Sequence, residues 1–165
     1  VGMLAQALAR RRGEASSERY FVAGLLHDMG RLVLAVAEPG LVAAVISRAA
    51  GGRIAMDAAE RLELTFDHAA LGGRICEKWR MSDSLIEGVA GHHDPSLCPD
   101  SLIAAAVHVA DFMANALGVR ALPAAGLPRF APRTLPLFKL DKADPQEFVD
   151  ILDDGLSAMA ALFAP

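Results

Sequence analysis

The sequence predicts an all-α fold, a single-domain bundle of about eight helices. Alanine and leucine, strong helix formers, dominate a chain that is 53% hydrophobic, while the aromatic residues that favour strands reach only 5%. Apolar residues recur at spacings of three and four in most segments, and helix-starting and helix-ending residues punctuate them at helical lengths. With 165 residues the chain is long enough to bury one sizeable core.

The first expected helix is VGMLAQALARRR, stopped by Gly13. Its Arg10-Arg11-Arg12 end places cations at the negative pole of the helix dipole. The second covers 17–36, capped by Ser16 or Ser17, with a stripe of Phe21, Leu25, Leu26, Met29 and Leu32. Pro39 and Gly51-Gly52 bracket the third, and 56–64 form the fourth. The fifth starts at the capping residue Asp67 and ends near Arg80. The sixth is SDSLIEGVAGHH, stopped before Pro95, and the seventh covers 100–118. Residues 119–143, with four prolines and little periodicity, read as an ordered surface loop containing a short helical turn. A final amphipathic helix over about 144–163 opens with Asp144 as cap, Pro145 at the first position and Glu147 three on from the cap. Trp79 and the leucine stripes read as core packing.

A net charge of −4 and a pI near 5.7 give no electrostatic support to a nucleic-acid partner. Two cysteines, Cys76 and Cys98, are too few for a disulfide framework and stand in no metal-ligand spacing, so a cytoplasmic setting is expected. No signal peptide is evident, and no apolar run of about 18 residues lacks charges, so no membrane association is expected. The chain begins at Val1 inside a helical pattern, as a fragment of a longer multi-domain protein would.

Chemistry is carried by histidines and acids set in apolar surroundings. His27-Asp28 lies within an apolar helix, His68 opens another, and His92-His93 close a third. Asp111 sits inside AAAVHVADFMANAL. Buried His and Asp need partners. These groups either satisfy one another across helices or ligate a cation together, and imidazole with carboxylate donors suits Zn, Mn, Fe or Ni. His27-Asp28 reads equally as a metal pair or as a hydrogen-bonded core pair. Adjacent His92 and His93 on a helix point about 100° apart, so one faces the centre while the other caps the helix end. His108 reads as a core residue or one supporting the site.

Four blocks in order, GLLHDMGRLVL, ERLELTFDHAALGGRICEKW, VAGHHDP and VHVADFMA, resemble the HDOD family. Glu60 eight residues before His68 and Trp79 eleven after it match as well, and the resemblance is strong over about residues 1–118. That family consists of bacterial signalling output modules related to the metal-dependent HD phosphohydrolases. The resemblance implies His27, Asp28, His68, His92, His93 and Asp111 as candidate metal ligands, with Asp28 bridging two cations. It places Arg31 where the cyclic di-GMP phosphodiesterases of the HD-GYP type have a lysine that contacts substrate phosphate. Two departures separate the chain from those enzymes. SLCPD follows HHDP where they carry a Gly-Tyr-Pro signature, and no histidine precedes His27, so a further ligand histidine on the first helix would lie upstream of Val1. The resemblance therefore implies a non-catalytic response-regulator-type output module, served by an attached receiver or sensor domain, by other signalling proteins or by a homodimer contact. The alternative is a metal-dependent phosphohydrolase acting on a cyclic dinucleotide or nucleotide phosphoester.

Overall fold

The structure is a computed structural model that describes residues 1–119, 125–140, 146, 149, 150 and 153. Among these it is all-helical: α1 (Gly2–Arg12), α2 (Glu18–Leu26), α3 (Met29–Ala37), α4 (Pro39–Gly52), α5 (Met56–Leu64), α6 (His68–Lys78), α7 (Asp83–Ala90) and α8 (Leu102–Ala116), with short 3-10 turns at Pro95–Leu97 and Pro132–Phe138. Of the expected helix over about 144–163, the described residues Gln146, Val149, Asp150 and Asp153 are helical, while Asp144, Pro145 and Glu147 lie outside the described residues.

Helix α8 is the central rod. Alanine and valine cover most of it, and it is buried along nearly its whole length. Small side chains let α1, α2 and α7 approach it closely, and Leu4, Leu8, Tyr20, Ala23, Ile103 and Val107 close the main core. Each large aliphatic side chain there contributes about 1.5–3 kcal/mol by leaving water. Helix α6 packs on α7 and on α3, and α4 pairs with α5 around Val45, Ala49 and Ala59.

The first helix ends as expected. Gly13 takes φ 95°, and the Gly13 and Glu14 amides bond back to Ala9 and Arg10 carbonyls. The arginines of that last turn also reach forward, with Arg12 Nη1 donating to the Leu137 carbonyl at 2.7 Å.

Four expectations change. The second helix is two helices, broken at His27-Asp28, because the His27 ring takes the Gly24 carbonyl that the Asp28 amide would use in an uninterrupted helix. The stripe expected on it is only partly buried: Met29 is buried, while Leu25 before the break and Leu32 after it are 65% and 71% exposed. As one rod, residues 18–37 have the length and composition of a membrane span, yet the break sets three ionisable side chains, His27, Asp28 and Arg31, in its middle. Trp79 is 59% exposed rather than core, and it stands just past α6, which ends at Lys78. The 125–140 segment is more than a surface loop. Phe138 of its 3-10 turn is fully buried against α1 and α8, and Phe130 stacks on Phe112 at 4.4 Å.

Candidate metal centre

Four pieces of chain bring their polar side chains to one interior point. The break between α2 and α3 delivers His27 and Asp28. The first residue of α6 delivers His68, held there by the Asp67 cap, whose side chain accepts the Ala70 amide at 2.9 Å. The turn after α7 delivers both His92 and His93, and α8 delivers Asp111. Close approach of α3 to α6 depends on Gly30. A Cβ there would stand 2.1 Å from the His68 carbonyl oxygen, so any side chain would push the two helices apart.

His92 and His93 correct an expectation. Helix α7 stops at Ala90 instead of running to His93, and Gly91-His92-His93 form a turn. Freed from the helical 100° offset, both rings turn to the same point, with centroids 4.1 Å apart. Their Nε2 atoms lie 3.3 Å and 3.0 Å from His68 Nε2. His27 Nε2 lies 3.6 Å from an oxygen of Asp28 and 3.6 Å from one of Asp111. Two donor triads result, His68 with His92 and His93, and His27 with Asp28 and His92, each with its ligand atoms within 4.8 Å of one another. All six residues singled out from the sequence are therefore neighbours.

The outer nitrogens of three rings are anchored. His27 Nδ1 donates to the Gly24 carbonyl at 2.8 Å and His92 Nδ1 to the Val89 carbonyl at 2.7 Å. His68 Nδ1 faces the Glu60 carboxylate at 2.5 Å. Such bonds place a ring proton on Nδ1 and point Nε2 inward, which is the arrangement metal-ligating histidines show once Nε2 is unprotonated. Glu60 was not among the residues read as site-forming, although its eight-residue spacing to His68 was visible. Asn115 was missed too: its Nδ2 donates to Asp111 Oδ1 at 2.9 Å and orients that carboxylate. The i,i+4 spacing on one helix was the available signal. His108 stands apart, as read, with Nδ1 on the His92 carbonyl at 2.7 Å and Nε2 accepting the Ala131 amide at 3.0 Å, so neither nitrogen is free for an ion.

Charge follows from these contacts. Burial and the nearby His27 and His68 push His92 down to about 3, and burial with His92 and His68 holds His93 well below the ordinary imidazole value. Burial also works against charge on His68, but the Asp28 and Glu60 carboxylates at its two nitrogens outweigh it and push the ring up to about 9. Burial opposes ionisation of Asp28 as well, yet His68, His27 and Arg31 hold it far below the usual carboxylate range. Arg31 closes the cluster, with Nη1 2.7 Å from Asp28 Oδ2 and Nε 3.3 Å from Glu60 Oε1.

The donor set fits a divalent cation. Around His68 Nε2 stand Asp28 Oδ1 at 2.9 Å and the Nε2 atoms of His92 and His93. One proton satisfies only one of these three acceptors, whereas a cation satisfies all of them. Two nitrogens each bound to a common ion at about 2.0–2.1 Å, at right or tetrahedral angles, lie about 2.8–3.4 Å apart, which matches the separations here. The centre opens on a cavity of about 290 Å³ whose walls include Asp28, Arg31, Asp57, His93 and Asp111.

Comparison with known proteins agrees with this architecture. The HDOD domain family profile matches residues 1–95. The chain superimposes on the crystal structure of an HDOD domain protein of unknown function from Geobacter sulfurreducens, with TM-score 0.77 and 22% identity over 97% of this chain and 57% of that one. It also superimposes on a candidate phosphohydrolase from Shewanella amazonensis SB2B, with TM-score 0.58 and 24% identity over 89% of this chain and 58% of that one. This chain thus spans less than three fifths of either protein, and the likeness is one of fold. No curated protein sequence matches it.

Proposed function

The chain belongs to the HDOD family, and from that premise we propose that it is a signal-transduction output module, non-catalytic and acting through protein–protein contacts. The observation that carries this reading is the internal pairing of Asp28. One of its oxygens faces His68 Nε2 at 2.9 Å and the other is bonded by Arg31 at 2.7 Å. The carboxylate expected to bridge two cations is engaged on both sides by the protein's own groups. Exposed Leu25, Leu32, Val33, Val36, Leu41 and Ile46 on α2, α3 and α4 supply apolar surface suited to an attached sensor or receiver domain or to a partner protein.

A second reading, metal-dependent phosphohydrolysis, is favoured by the convergence of three inward Nε2 atoms. In that reading His27, Asp28, His68, His92, His93 and Asp111 hold Fe, Mn, Zn or Ni, and the bound cations supply activated water and charge neutralisation at a phosphoryl group. Purified protein supplied with Mn or Fe decides between the two. The expected result is no turnover of cyclic di-GMP or of bis(p-nitrophenyl) phosphate. Metal-dependent turnover that Asp28→Ala abolishes replaces the first reading with the second.

A further inference from the structure

Resting on the reading of the His–Asp centre as able to hold a cation, we propose that Arg31 is the resident cation of that centre. Its guanidinium and a divalent ion compete for Asp28 and His68, so metal enters only when Arg31 leaves.

Arg31 lies in the first turn of α3, three residues beyond Asp28, and only 21% of its side chain is exposed. It touches three members of the cluster at once. Nη1 bonds Asp28 Oδ2 at 2.7 Å, Nε approaches Glu60 Oε1 at 3.3 Å, and Nη2 lies 3.0 Å and 3.2 Å from the two ring nitrogens of His68. Near-equal distances to both nitrogens describe a charge set against the ring rather than one aligned bond. Nη2 is thus as close to His68 Nε2 as His92 and His93 are. An ion held by those three nitrogens would share its surroundings with a guanidinium, in a site where little water screens the repulsion.

The two cations yield in different ways. A protonated imidazole can lose its proton to an incoming metal, but a guanidinium stays charged at any working pH. Arg31 can make way only by moving. The space for that movement is adjacent, since its side chain forms part of the wall of the 290 Å³ cavity. Its departure costs Asp28 and Glu60 their counter-charge, which the divalent ion then replaces. A single side chain therefore sets the metal affinity of the centre without ligating the metal.

Calorimetric titration of the metal-free chain with Mn²⁺ and with Zn²⁺ tests this, on the wild type, Arg31→Gln, Arg31→Lys and the double variant Asp28→Asn/Arg31→Gln. Arg31→Gln is expected to bind at least ten-fold more tightly than wild type, with Arg31→Lys between them. The double variant should lose the gain, which places it at Asp28. Metal-free Arg31→Gln should melt below wild type and recover on adding metal, so a weakened fold still reports the competition. Equal or weaker binding by Arg31→Gln, with wild type binding, overturns the role of Arg31 alone. Failure of every variant to bind either ion overturns the cation reading and this proposal with it.

Discussion

Glu60 and His68 are joined twice. One carboxylate oxygen, Oε2, accepts the His68 backbone amide at 2.8 Å and faces ring Nδ1 at 2.5 Å. Both residues are almost fully buried, Glu60 at 2% and His68 at 0% exposure. The contact ties the middle of α5 to the start of α6 and fixes which nitrogen of His68 looks inward.

Removing that carboxylate therefore strikes fold and site together. Glu60→Ala leaves a buried amide and a buried ring N–H without an acceptor, and unpairs Arg31 Nε. Breaking a buried charged pair from one side costs about 3–5 kcal/mol, read as a lowered urea midpoint of the metal-free protein. Glu60→Gln keeps an acceptor for the amide and should lose less. A midpoint for Glu60→Ala equal to wild type would show that the contact holds nothing together.

A second test addresses the helix crossing that brings His68 to Asp28. In Gly30→Ala the new methyl would meet the His68 carbonyl oxygen at 2.1 Å and the Gly72 amide nitrogen at 2.8 Å, both backbone atoms that cannot rotate away. Overpacking of this kind costs about 1–3 kcal/mol or more. Gly40→Ala is the matched control, since nothing stands within 4 Å of its Cβ in the first turn of α4. It should raise stability by about 0.4–1 kcal/mol through the unfolded chain. Thermal melts that move both variants in the same direction contradict the crossing argument.

These two cases mark how far the sequence could be read. Residue types singled out the six residues as groups needing partners, because His and Asp are costly inside apolar helices unless they meet, and the family resemblance joined them into one candidate ligand set. Helix starts and stops were legible wherever backbone chemistry is local, as with Gly13, Pro39 and Asp67. The break at His27-Asp28 was not, because it depends on a side chain capturing the Gly24 carbonyl, and apolar periodicity runs straight through it. The early end of α7 escaped for a related reason. A turn at Gly91 is worth forming once it lets two imidazoles face His68, a reward invisible in a local window. Trp79 misled because a large aromatic is usually packed, whereas this one stands exposed just past the end of α6.

Acid should weaken the metal-free fold before its carboxylates titrate. His92 is pushed down to about 3 and His93 well below its ordinary value, both by burial first and then by neighbouring rings. Depressed imidazoles are neutral in the fold, so below about 6.5 the unfolded chain binds protons that the folded chain refuses. Their contribution to stability is fully present above that pH and is lost as pH falls toward 3. The slope approaches about 1.4 kcal/mol per pH unit for one ring, and about twice that where both contribute. Urea midpoints measured at intervals from pH 7 to 4.5 give the slope directly. A flat profile over that range would mean that the two rings are hydrated in solution.

Metal uptake should release a proton. His68 is pushed up to about 9 by the carboxylates of Asp28 and Glu60 against the opposing effect of burial, so its ring is charged at pH 7 in the metal-free protein. A raised imidazole contributes stability that is complete below about 6.5 and is lost as pH climbs through 9. An ion ligated by Nε2 must displace that proton, so acid protects the metal-free state and alkali favours loading. Affinity for Zn²⁺ or Mn²⁺ is therefore expected to rise by about ten-fold per pH unit between 7 and 9. Calorimetry at pH 7 in buffers of different ionisation enthalpy should report about one proton released per ion bound. His68→Asn supplies the control, because it removes the displaced proton while leaving the anchored rings of His27 and His92 in place. Its affinity should be weaker than wild type at pH 9 but nearly independent of pH. Release of no proton by the wild type would mean that His68 is neutral before the ion arrives, and that its two carboxylate partners are too well solvated to hold the charge.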